Sequence, residues 1–203
     1  FNNISELEVL LEKTDKARVE DSFRGGEVIG VSEYKFIVND TKNFVETVVP
    51  ANKAKVINHS TIFQPFINSL KETNDIQISG FVENNGGRVI VRTVFDNLSI
   101  SPNNDNIKLG IVLENSYSRL NFSAQGYAVR SVCQNGMLLG NTLAGKISLS
   151  HNNNIAELSK DLSRLISNLF QKSKMIESII VEAQKDVLTS ETELKQILVG
   201  ENV

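Results

Sequence analysis

Ile76-Gln77-Ile78-Ser79-Gly80-Phe81-Val82-Glu83, then Asn84-Asn85-Gly86-Gly87, then Arg88-Val89-Ile90-Val91-Arg92-Thr93-Val94-Phe95, decide the fold. Two runs rich in β-branched and apolar residues flank a turn. Its Asn and Gly residues accept the positive φ that a hairpin needs. Downstream, Ile107, Leu109, Ile111 and Leu113 alternate with Lys108, Gly110, Val112 and Glu114, which predicts a strand with one apolar face. Residues 120–132 continue the pattern: Phe122, Ala124, Gly126 and Ala128 face one way, Ser123, Gln125 and Tyr127 the other. The expectation is an antiparallel meander of at least four strands with helices on one side, an α+β fold.

On the N-terminal side, Ile4, Leu7 and Leu11 recur at helical spacing behind a Ser5/Glu8 capping box, predicting a helix over 5–16. Gly25-Gly26 marks a turn, and strands are expected over 28–38 and 44–49, stopped by Pro50. Ser60 or Thr61 can cap a short helix carrying Ile62, Phe63, Phe66, Ile67 and Leu70 on one face, with Pro65 tolerable only near its first turn.

Beyond residue 150 the period changes. Ile155, Leu158, Leu162, Leu165, Leu169, Ile176 and Ile179 follow a three-four spacing, widened by Ile166, Phe170 and Ile180. A helix over 154–187 is expected, roughly 50 Å long at 1.5 Å per residue. Lys172 interrupts the seam, so a clean coiled coil is not expected. A second capping box at Ser190 and Glu193 opens a short helix ended by Gly200. The chain therefore divides into a sheet domain over 1–150 and a C-terminal helical segment over 151–203. That segment packs on the sheet near its start and on another subunit near its end, which makes a homo-oligomer the expected assembly.

The chain has 203 residues, 21 Lys and Arg against 24 Asp and Glu, and a formal net charge of −3, which excludes a generally basic nucleic-acid coat but not a local basic face. No apolar run is long enough to span a bilayer, and nothing at the N-terminus reads as a signal peptide. Cys133 is the only cysteine, so an internal disulfide and a Cys-rich zinc site are both ruled out, and a reducing cytoplasm is the plain inference.

Arg88 and Arg92 share one strand face with Ile90 between them; Lys108, Arg119 and Tyr127 are placed to join them. Single-stranded nucleic acid needs that combination, cations for phosphates and a ring for bases. An ordinary solvated sheet face is the simpler account, and only 6% of residues are aromatic with no Trp. Alternation puts Arg130 on the apolar face, where it is either a phosphate ligand at the strand end or, more simply, a structural arginine tethering the next turn. Cys133 as a nucleophile needs a base such as His59 or His151; the plainer reading is a small buried thiol with Asn135 holding a turn. These three residues lack tight ligand spacing, so no metal is expected. Neither Gly25-Gly26 nor Gly86-Gly87 has a phosphate-loop pattern, no acid/base carboxylate pair stands out, and no cofactor or enzymatic activity is expected.

Val56-Ile57-Asn58-His59-Ser60-Thr61-Ile62-Phe63, Asn115-Ser116 and Val129-Arg130-Ser131-Val132-Cys133-Gln134-Asn135-Gly136-Met137, with His151 before the long helix, resemble the phage/plasmid-like family called domain of unknown function 932, over about residues 56–156. The resemblance marks His59, Asn115, Ser116, Arg130, Cys133 and Asn135 as motif residues of unknown role. Where that family usually continues Asn-Ser with His-Asp-Gly, this chain has Tyr117-Ser118-Arg119, so chemistry resting on that His or Asp is not carried over. The resemblance implies a mobile-element setting near DNA recombination, in the host cytoplasm. Together these readings give a non-enzymatic protein that binds or anneals single-stranded DNA through Arg88, Arg92, Lys108, Arg119, Tyr127 and Arg130. The alternative is a structural, oligomerising protein without nucleic-acid binding.

Overall fold

The computed structural model describes residues 3–14, 17–20, 33–40, 44–71, 75–101, 106–130, 136–139, 145–151 and 155–185. The fold is α+β. Helix α1 (Ile4–Thr14) opens the described chain. Its cap lies two residues ahead of the expected Ser5: the Glu6 N–H donates to Asn3 Oδ1 at 2.8 Å, and Asn3 Nδ2 donates to Glu6 Oε1 at 2.8 Å. Asn caps as well as Ser, and the Asn3–Glu6 spacing repeats the same box. Strands β1 (Ala17–Glu20), β2 (Tyr34–Asn39) and β3 (Phe44–Pro50) form a three-stranded antiparallel sheet in that order. The expected turn at Gly25-Gly26 lies outside the described residues, as does the short helix expected after Ser190.

Helix α2 (His59–Lys71) begins at His59 itself, so Pro65 falls in its interior rather than in its first turn. The hydrogen bond that Pro65 forfeits belongs to the carbonyl of Thr61, whose side of the helix is exposed and open to water. The six-stranded sheet contains β4 (Ile76–Glu83), β5 (Arg88–Ile100), β6 (Ile107–Ser116) and β7 (Asn121–Arg130) as a meander. Two short strands, β8 (Gly136–Leu138) and β9 (Lys146–Ser150), then share the remaining edge of β7, against its later and earlier halves.

The hairpin between β4 and β5 turns through Asn84, Asn85 and Gly86, all at positive φ. The second glycine has a different reason: a Cβ on Gly87 would strike the carboxylate of Glu46, which arrives from β3. Burial raises the Glu46 carboxyl above its ordinary range, partly countered by the hydrogen bond from Asn39 Nδ2 at 2.8 Å. The hairpin tip is thus where the small sheet meets the large one. Gly110 marks another close approach, since a Cβ there would fall on the Thr93 carbonyl beside the irregular pairing of β5.

One face of the large sheet is covered. Val89, Val91, Leu109, Ile111, Leu113 and Phe122 are buried there, beneath Phe63, Phe66 and Ile67 of α2 and Leu7 and Leu11 of α1. Helix α3 (Leu158–Lys185) buries Leu158, Leu162, Leu165, Leu169 and Ile176 in the same core. Fully burying each such side chain contributes about 1.5–3 kcal/mol. The long helix is therefore part of this chain's own core at least as far as Ile176. The other face of the sheet carries no helix among the described residues.

Candidate functional site

The uncovered face follows from register. Ser79, Arg92, Val112, Gln125 and Lys146 lie side by side across five strands; Phe81, Ile90, Glu114 and Ser123 form the next row. Two hollows open on it. The larger, about 600 Å3, is lined by Gln77, Ser79, Arg92, Lys108, Tyr127 and Arg130, among others. The smaller, about 280 Å3, has Ile90, Arg92, Val112, Ser123, Gln125 and Tyr127 in its wall, together with Arg88 and Glu114.

The expected row of cations is broken by acids that come with the register. Arg88 Nε and Nη2 donate to the two carboxylate oxygens of Glu114 at 2.8 and 2.9 Å, and Nη1 donates to Glu83. These contacts raise the Arg88 guanidinium still further above its ordinary value, Glu114 contributing most. Lys108 pairs with Asp96 at 2.5 Å. Arg119 is largely exposed and stands 3.7 Å from Glu114. Arg92 differs: its guanidinium lies 5.5 Å from the centre of the Phe81 ring, and it has no carboxylate partner among the described residues.

Arg130 also departs from expectation. As the last residue of β7 it is exposed and lines the larger hollow, rather than sitting buried among Phe122 and Ala128, because alternation ceases to bury a side chain where the sheet ends. Tyr127 is placed on this face as expected but only 7% exposed, so little of its ring is open for stacking.

A second constellation lies inside the molecule. His59, Asn115 and His151 are all fully buried. The Ile57 N–H donates to His151 Nδ1 at 3.2 Å; His151 Nε2 lies 2.8 Å from Asn115 Oδ1; Asn115 Nδ2 lies 2.9 Å from His59 Nδ1; and His59 Nε2 lies 2.8 Å from the Gly86 carbonyl. The end groups decide the protons. A carbonyl only accepts, so His59 carries its proton on Nε2. A backbone N–H only donates, so His151 Nδ1 is bare and Nε2 carries the proton. Every bond in the chain is then satisfied with both imidazoles neutral, all donors pointing the same way.

Burial first, and the neighbouring His59 second, hold His151 down to about 4. Tyr117 closes the cluster: its ring stacks on His59 with centroids 4.1 Å apart, and its hydroxyl accepts the His59 backbone N–H at 3.2 Å. Ser116 turns the other way, its Oγ 3.1 Å from Ser118 Oγ and accepting the Arg119 N–H at 3.4 Å, which sets the turn between β6 and β7.

The structure thus brings His59, Asn115 and His151 together, a convergence that spacing along the chain does not reveal. It separates them from the outer-face residues by the thickness of the sheet. Cys133 and Asn135 lie outside the described residues. Phe81, Asp96 and Glu114 were not singled out from the sequence. Glu83 and Arg88 flank the turn symmetrically, and that symmetry is the signal that could have exposed their pairing.

A family model described as Domain of unknown function (DUF932) matches residues 48–199, about three quarters of the chain, and spans the whole buried cluster. No curated protein and no solved structure matches.

Proposed function

The chain belongs to the DUF932 family, whose function is unknown, and from that premise we propose a non-enzymatic binding module that holds single-stranded DNA on its uncovered sheet face. The contacts are fewer than a continuous cationic track would supply. Arg92 and Arg130 meet phosphates together with Lys108, which exchanges its pairing with Asp96 for a phosphate; Tyr127 and Phe81 flank them, and Arg88 is withdrawn from contact by its two carboxylates. The observation that carries the reading is Arg92, exposed, stacked on Phe81 and at the boundary of both hollows. The absence of enzymatic chemistry is part of the proposal, supported by two histidines whose ring nitrogens are all engaged in a buried network. A phage or plasmid setting and a cytoplasmic location belong to it as well; no helix among the described residues is long and apolar enough to cross a membrane.

Fluorescence anisotropy with a labelled single-stranded oligonucleotide tests this. Binding at low salt is expected to weaken as salt rises, with a slope of about two in log–log form for three phosphate contacts. Arg92→Ala is expected to weaken binding by at least about tenfold, in line with losing one charge-assisted contact worth about 1.5–3 kcal/mol. An oligonucleotide left unbound by micromolar protein at low salt overturns the proposal.

A second reading is favoured by α3, where Phe170, Met175 and Ile179 are 38–51% exposed. Self-association through this helix gives a homo-oligomer. Light scattering is expected to report a multiple of 22.5 kDa, and Met175→Lys with Ile179→Lys to return it to that mass. A wild-type chain that stays monomeric at high concentration sinks the reading.

A further inference from the structure

Resting on the sheet-face reading, we infer that the site takes a nucleotide at both of its ends, phosphate in the larger hollow and base in the smaller, with Arg92 and Tyr127 standing between. The two hollows share these residues and differ in chemistry. The larger is lined by Arg92, Lys108 and Arg130; Lys108 pairs with Asp96, which lies outside the lining, whereas the smaller carries Glu114 in its own wall. The smaller has an apolar floor of Ile90 and Val112; of its two cations, Arg92 is shared with the larger hollow and Arg88 is already paired with Glu83 and Glu114. A phosphate there would meet the Glu114 carboxylate in the wall.

The smaller hollow is near the low end of small-ligand pocket volumes, which run from about 300 Å3, so it suits one flat ring system. Its wall carries polar groups that a ring edge needs. Gln125 donates from Nε2 to the Leu139 carbonyl at 2.6 Å, which holds the amide in one orientation, and Ser123 sits one pleat away on the same strand. An amide held in place is the side chain that reads the donors and acceptors of a base. A base also stacks well on a guanidinium, and the Arg92 guanidinium lies over Phe81, 5.5 Å from the ring centre. An acyl or lipid phosphate would use neither feature. Two-point capture therefore makes recognition depend on the base as well as on charge.

Two measurements on the full chain test this separately from DNA binding itself. In the first, a labelled oligonucleotide is displaced by an unlabelled oligonucleotide or by an abasic deoxyribose-phosphate chain of equal length. The abasic chain is expected to need at least about fivefold higher concentration, since stacking of one base is worth about 1–3 kcal/mol. In the second, Val112→Arg fills the smaller hollow while adding a cation to the face. Affinity is expected to fall about tenfold, with the melting temperature used to confirm that the variant is folded; Val112→Met supplies a milder filling if it is not. Equal competition by the abasic chain, or tighter binding by a folded Val112→Arg, overturns the inference and leaves the sheet-face reading intact. Failure of the wild-type chain to bind any oligonucleotide removes both.

Discussion

Replacing Asn115 with leucine is expected to lower the unfolding free energy by about 4 kcal/mol, read as a fall in the urea midpoint at pH 7. Leucine fills the space but neither donates nor accepts. His59 Nδ1 and His151 Nε2 would each lose their only bridge to one another in a place that water does not reach. Each buried polar group left without a partner costs about 1–3 kcal/mol, and a whole domain is stable by only about 5–15 kcal/mol. The asymmetry provides a control. Changing His59, Asn115 and His151 together to leucine removes the orphaned groups and is expected to recover part of the loss. A single Asn115→Leu that costs under about 1 kcal/mol would mean that the network is not as dry as its burial indicates.

Acid is expected to destabilise the protein through the same cluster. The His151 imidazole is held near 4 in the folded chain, against 6.5 ordinarily, first by burial and then by His59. Between those two values the unfolded chain takes up a proton that the folded chain refuses. Stability from this group is therefore fully present above about pH 6.5 and is lost as the pH falls toward 4, levelling off below it. The linkage amounts to on the order of 3 kcal/mol. Geometry agrees, since a protonated Nδ1 would aim an N–H at the N–H of Ile57. Glu46 works in the opposite sense: its carboxyl is raised on folding, so it offsets part of the loss as acid is added. Urea midpoints at pH 7, 6, 5.5 and 5 isolate the imidazoles, because most carboxylates titrate lower. A midpoint flat across that series, or a slope unchanged in His151→Gln, would show that His151 is not the group responsible.

The large sheet was legible because alternation over Ile107–Ser116 and the Asn-Gly turn before Arg88 are local signals, written in adjacent residues. The same holds for α3, whose apolar positions repeat from Leu158 to Ile180 of its 28 residues. The short strands were not read. Ala17–Glu20 and Gly136–Leu138 have too few residues for a period to show, and Lys146–Ser150 exists as a strand because β7 offers it an edge. On the outer face Arg88, Arg92 and Lys108 were placed correctly but their charge was overcounted. Glu83 and Glu114 become neighbours of Arg88 only through cross-strand register, which depends on how β4 and β6 align with β5. Resemblance marked His59 and Asn115 but could not say that they touch, 56 positions apart in the chain.

The bond from Ile57 to His151 spans 94 residues of sequence. During synthesis, then, everything from the entry of α2 to the end of β7 can leave the ribosome while that backbone amide still waits for its acceptor. Chains grow at about 5–20 residues per second and contacts this distant close late. Nascent polypeptides stalled short of residue 151 would hold an open, hydrated interior at the hairpin tip, and such fragments are natural clients for chaperones and proteases until the last imidazole arrives.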